Sequence, residues 1–112
     1  MTYTIDYYNE KVQKAVLTLP SGLQGRYFAL TDRMEIHGPN LGAPHSKSFG
    51  DGLLELRLKS AEGIARVFYC TLVKKRIVVL HCFIKKTDKT PAHDKRLAET
   101  RMKEVKNDAH TC

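Results

Sequence analysis

Arg66 is the residue whose setting most demands an explanation. It stands between Ala65 and Val67 inside a run, Ile64 to Leu72, that is otherwise apolar or aromatic at most positions. An arginine in the middle of a strand costs free energy unless an anion meets it. Two anions fit. One is Glu55, within reach on a neighbouring strand. The other is a phosphate, which a guanidinium grips with a bidentate fork. The residue types leave both open. Other cations recur nearby. Arg57 and Lys59 alternate with Leu56 and Leu58, so they share a face that the leucines avoid. His81, Phe83 and Lys85 share a face of a later run, which ends in Lys85-Lys86. Lys47 lies upstream and reads by default as a solvated lysine. Such a set suits the binding of phosphates and the stabilisation of charge that develops on them.

Other chemistries find less support. No Ser or Cys sits in a nucleophile motif. The glycines form no phosphate loop. His37, His45, His81, His93 and His110 are scattered without ligand spacing. His81, beside the lysines, is the one kept as a phosphate-binding candidate. Cys70, Cys82 and Cys112 make an odd set with no CxxC pair, so zinc is not expected. Cys70 and Cys82 fall in apolar runs and read as small buried hydrophobes in a reducing cytosol. No metal and no cofactor is expected.

The elements that position these residues follow from periodicity. Leu54, Leu56 and Leu58 alternate with Glu55, Arg57 and Lys59, which marks a strand with one buried face. Ser60 to Gly63 reads as a turn, Ile64 to Leu72 as a second strand, Lys74-Lys75 as a tight break, and Arg76 to Ile84 as a third strand. Short connections make this a β-meander. If Val67 lies on the leucine side, Arg66 meets Arg57 on the opposite face; a slip of one residue in the pairing would invert that.

Upstream, Tyr3 to Tyr8 reads as a short strand. Asn9 caps a helix whose apolar face is Val12, Ala15, Val16 and Leu19, and Pro20 ends it. Ser21 and Gln24 match a capping box for a second helix with the stripe Leu23, Tyr27, Leu30 and Met34, stopped at Gly38. Residues 38–51 read as a loop, dense in Gly and Pro. Thr90-Pro91 reads as the start of a C-terminal helix over 91–107, with 108–112 frayed. The expected fold is α+β, an antiparallel sheet in the order β-α-α-β-β-β-α. The helical hairpin packs on one sheet face and leaves the other to the cations.

A chain of 112 residues is read as a single domain, 1–112. Its 19 Lys and Arg against 12 Asp and Glu give a net charge of +7. Residues 1–50 hold five basic and four acidic side chains, residues 51–112 fourteen and eight, so nearly all the excess lies in the meander and the C-terminal segment. A basic half points to a polyanion, nucleic acid first. No apolar run is long enough to span a bilayer and no signal-peptide pattern is present, so no membrane partner is expected.

The segments LGAP with Lys47, GLLELR, GIARVFY, VLHCFIKKTDKTP and LAETRM lie in that order over residues 41–102. Together with the β-α-α start they resemble the phage-derived HigB-like branch of the RelE/ParE toxin superfamily. The resemblance implies the toxin of a type II toxin–antitoxin pair, a ribosome-dependent mRNA endonuclease (an mRNA interferase) acting in the cytoplasm and neutralised by a helix-turn-helix antitoxin. It implies that Arg66 contacts phosphate and that Lys85 and Lys86 line the catalytic site; Arg57 is a weaker carry-over, and Lys59, Lys47 and His81 complete the RNA-binding set. The better-known nucleases often place a Tyr or His just after the last strand. Here the chain continues as KKTDKTP, so the general acid and base stay unassigned. Two alternatives stand beside the nuclease: a ParE-like gyrase inhibitor that is not an enzyme, and an inactive nucleic-acid- or protein-binding module.

Overall fold

The computed structural model describes residues 2–85 and 91–111. Asn9 caps the first helix as its sequence position requires, its Oδ1 accepting from the Val12 N–H at 2.9 Å. The elements in order are β1 (Thr4–Tyr7), α1 (Glu10–Leu17), α2 (Ser21–His37), β2 (Ser46–Gly50), β3 (Leu53–Ser60), β4 (Gly63–Leu72), β5 (Arg76–Ile84) and α3 (Ala92–Thr111). The fold is α+β, with one five-stranded sheet ordered β1-β5-β4-β3-β2.

The sheet corrects the expected architecture in two places. It is mixed rather than antiparallel, because β1 runs parallel to β5. The helical hairpin between them carries the chain over the sheet, as a parallel connection requires. The second correction is β2, a fifth strand inside the segment expected to be a loop. Its sequence SKSFG has little apolar patterning, being an edge strand with Lys47 and Ser48 exposed and Ser46 buried. The anticipated capping box is also absent. Pro20 occupies the N-cap position of α2 without a side-chain bond. The Gly22 N–H instead donates to Glu62 Oε1 of the β3–β4 turn at 2.5 Å. An anion from a distant turn thus satisfies the helix terminus. The C-terminal helix extends to Thr111, past the expected fraying point.

Two cores follow from strand alternation. On one face, Leu54, Leu56, Leu58, Val67, Tyr69, Ile77 and Val79 pack against the hairpin stripe of Val12, Val16, Leu23, Tyr27, Leu30 and Met34. A fully buried leucine of this kind is worth roughly 1.5–3 kcal/mol relative to exposure. On the other face, Leu53, Phe68, Cys70, Val78 and Leu80 pack under Ala98 and Met102 of α3. That face is therefore not left open along its length, as expected; α3 covers part of it, and the cations hold the rest.

A bulge in β5 decides what faces where. Phe68 pairs with His81, but Tyr69 pairs with Val79, which leaves Leu80 as the extra residue. Val79 therefore joins the hairpin core while His81, two residues on, faces α3. Without the bulge, period-two alternation would send His81 into the apolar core.

Candidate phosphate-binding site

Three cross-strand rows make up the cationic end of the sheet. In the first, Lys47 pairs with Glu55, Glu55 with Phe68, and Phe68 with His81. In the second, Arg57 pairs with Arg66 and Arg66 with Phe83, while the Arg57 N–H donates to the His45 carbonyl at 2.8 Å. In the third, Lys59 pairs with Ile64, and the Lys85 N–H donates to the Ile64 carbonyl at 2.8 Å. Val67 lies in the hairpin core, so the pairing is the one that brings Arg66 onto Arg57's face.

A cleft of about 340 Å³ opens over the second and third rows. Arg57, Lys59, Ile64 and Arg66 come from the sheet, Arg26 from α2, and Pro44 and His45 from the approach to β2. Four formal cations thus converge on one depression. A larger depression, about 570 Å³, lies at the far end of β4 and β5 among Asp6, Tyr8, Leu72, Arg76 and Val105. There Arg76 is already paired with Asp6 at 3.1 Å. Charge rather than size therefore makes the smaller cleft the candidate anion site.

Glu55 lies beneath that cleft and is 1% exposed. Its Oε1 is 3.6 Å from the Nε of Arg57 and 3.6 Å from the Nε of Arg66. Both anions weighed for Arg66 thus have a place: Glu55 behind it and the cleft in front. At 3.6 Å these contacts are coulombic rather than hydrogen bonds. Among the described residues neither Nε has a hydrogen-bond partner. Burial pulls the Arg66 guanidinium below its ordinary value; Glu55 opposes that and Arg57 adds to it. Arginine nonetheless stays charged at any physiological pH.

The remaining expected residues separate. Lys85 is across from Ile64 and flanks the cleft without lining it. Lys86 lies outside the described residues. Lys47 is on edge strand β2 with its Nζ 5.0 Å from the Phe49 ring centre, and Lys95 of α3 stands 4.9 Å from the same ring. His81 is held by α3, its Nε2 2.6 Å from Asp94 Oδ1, and it stacks on Phe83 at 5.5 Å. Burial pushes the Cys70 and Cys82 thiols up to about 11, which keeps both protonated and non-nucleophilic at neutral pH. Among the described residues no group of three His, Cys, Asp or Glu side chains is placed to hold a metal ion, and no helix is long and apolar enough to cross a membrane.

Arg26 and His45 were not among the expected residues. The sequence held a signal for one of them: once SKSF is seen as a strand, its register against ELR puts His45 opposite Arg57. Arg26 had no such signal, because it reaches the cleft only through the docking angle of α2.

Comparison with known proteins bears on the fold and the family. The crystal structure of the archaeal RelE–RelB complex from Pyrococcus horikoshii OT3 contains a chain similar to this one, with a TM-score of 0.52 and 24% identity over 77% of this chain and 98% of that one. No curated protein matches. The pattern of the family described as "Phage derived protein Gp49-like (DUF891)" matches residues 14–103, a span holding α2, the whole meander and every cation of the cleft. The chain belongs to this Gp49-like family of phage-derived proteins and shares its fold with the similar RelE chain.

Proposed function

We propose that this protein is a ribosome-dependent mRNA endonuclease, the toxin of a type II pair that acts in the cytosol and is neutralised by a helix-turn-helix antitoxin. The observation that carries the reading is the convergence of Arg26, Arg57, Lys59 and Arg66 on one cleft of about 340 Å³. The antitoxin and the ribosome come from family kinship, and the similar archaeal RelE chain is itself in complex with a partner protein, RelB.

The chemistry asked of such a site is in-line transfer. The ribose 2′-oxygen bonds to the adjacent phosphorus, its proton passes to a base, and the bond from phosphorus to the 5′-oxygen breaks. The products are a 2′,3′-cyclic phosphate and a 5′-hydroxyl that has gained a proton. Negative charge accumulates on the non-bridging oxygens at the transition state. Guanidinium forks stabilise it there, an effect worth ~3–4 kcal/mol for a single well-placed donor. Lys85 and Lys86 remain the candidates for proton transfer and charge stabilisation.

A cationic cleft binds phosphates but orders a ribose poorly. Alignment for in-line attack can account for ~7–11 kcal/mol of barrier, so an external scaffold must hold the RNA. The ribosome is that scaffold in this reading. Purified protein is expected to cut mRNA on programmed ribosomes fast and naked RNA slowly or not at all, any residual cutting of naked RNA being indifferent to EDTA. Rapid, EDTA-sensitive cutting of naked RNA would overturn the mechanism. Intact mRNA after induction, with arrested replication and an SOS response, would move the protein to the gyrase-inhibitor reading.

A further inference from the structure

The two arginines at the centre of the cleft face each other directly across β3 and β4. Like charges in that position repel and also leave each side chain free to swing away. Glu55 is the group behind both. It sits one row away on β3, on the same face, and is almost wholly buried. One oxygen, Oε1, stands at the same 3.6 Å from each Nε. A carboxylate buried to this degree is costly unless cations surround it.

The guanidinium is planar, so fixing its Nε edge fixes where its terminal nitrogens lie. Arg66 is further steadied from Nη1, which donates to the Ala65 carbonyl at 3.3 Å. Its side chain is only 12% exposed, whereas that of Arg57 is 37% exposed. Arg57, with more of its length in solvent, gains most from an anchor.

Resting on the reading of the cleft as a phosphodiester site, we propose that Glu55 is its positioning residue: a buried carboxylate that does not meet the RNA but holds Arg57 and Arg66 in one shared orientation to grip a single phosphodiester. Without it the same cations would remain, but scattered over many rotamers, and binding would lose the geometric fit of fork to phosphate.

This role predicts a sign opposite to simple electrostatics. Glu55→Gln keeps the volume and removes a negative charge, so the field in the cleft becomes more positive. A purely electrostatic site would then bind an anion more tightly. A positioned pair binds it more weakly, by about tenfold, the scale expected when a charge-assisted contact is lost. The probe is a 2′-deoxy dinucleoside monophosphate, which carries one phosphodiester and cannot be cleaved by 2′-attack. Its affinity is read by NMR from the Nε–Hε signals of Arg57 and Arg66. In Glu55→Gln both signals should move together before any probe is added, a change that mere loss of stability would not produce. Should that variant not fold, Glu55→Asp retains the charge and draws it back by one methylene; positioning predicts weaker binding there too. Native binding that is matched or exceeded by the folded variant overturns the role of Glu55 alone. No response of the two arginines to the probe in the native protein overturns the phosphate site and this role with it.

Discussion

Two polar clusters share the same face of the sheet, and they are built in opposite ways. At the α3 end, His81 and Asp94 meet at 2.6 Å and close on each other, both less than one-fifth exposed. At the cleft end, Arg57 and Arg66 reach Glu55 only at 3.6 Å, and their Nε atoms find no hydrogen bond among the described residues. The first cluster is a finished contact between two elements. In the second, both Nε atoms lie beside a carboxylate with no hydrogen bond among the described residues, and that difference is what makes this end the candidate site. Position on a face does not distinguish the two clusters; the state of their hydrogen bonds does.

The largest test of that contrast is Arg66→Ala. It should lower ribosome-dependent cleavage by about 10²–10³-fold, the loss typical of one transition-state donor, and growth inhibition should disappear with it. Circular dichroism should show a folded protein. A soluble, folded variant that remains fully toxic would place the chemistry elsewhere.

Next in size is His81→Ala, which should do the reverse. Breaking the link to Asp94 should cost about 1.5–3 kcal/mol of stability, seen as a lowered Tm, because the bond joins two mostly buried, chargeable groups. Cleavage below the melting range should fall far less than in Arg66→Ala. An inactive His81→Ala variant with an unchanged Tm would turn the contact into part of the site.

The lysines at the end of β5 sharpen the boundary between the two clusters. Lys85 occupies the row of Lys59 and Ile64, and Lys86 lies outside the described residues. Lys85→Ala should therefore reduce cleavage more than Lys86→Ala, measured side by side on programmed ribosomes. Equal, small losses would mean that both only add to a diffuse positive field.

The smallest effect is expected at Gly22, remote from both clusters. A methyl group added there would come within 2.5 Å of Glu62 Oε1 and displace the carboxylate that caps α2. Gly22→Ala should lower stability by about 0.5–2 kcal/mol, the cost of a lost cap, with cleavage unchanged. An unaltered Tm would show that the turn contributes nothing to the helix terminus.

Much of this molecule could be read from its residues. The alternation of Leu54, Leu56 and Leu58 with Glu55, Arg57 and Lys59 set two faces before any partner was known, since a pleated strand allows no other arrangement. The stripes of α1 and α2, the Asn9 cap and the stop at Gly38 follow from equally local rules. So does the demand that Arg66 meet an anion, which depends only on the cost of burying a charge. What local rules cannot fix is anything that depends on two distant segments meeting. Edge strand β2 has no apolar pattern because it buries almost nothing; pairing with β3 makes it a strand. The parallel seating of β1 beside β5 and the cover that α3 gives to part of the second face are decided by which surfaces close most apolar area. The bulge at Leu80 turns His81 out of the core, and no spacing in the sequence marks it. Arg26 belongs to the cleft only because α2 docks at one angle. The sequence supplied the charges and their faces. Only the packing of the hairpin and the sheet brought four of them to one point, because convergence is a property of distances through space, and the chain records distances only along itself.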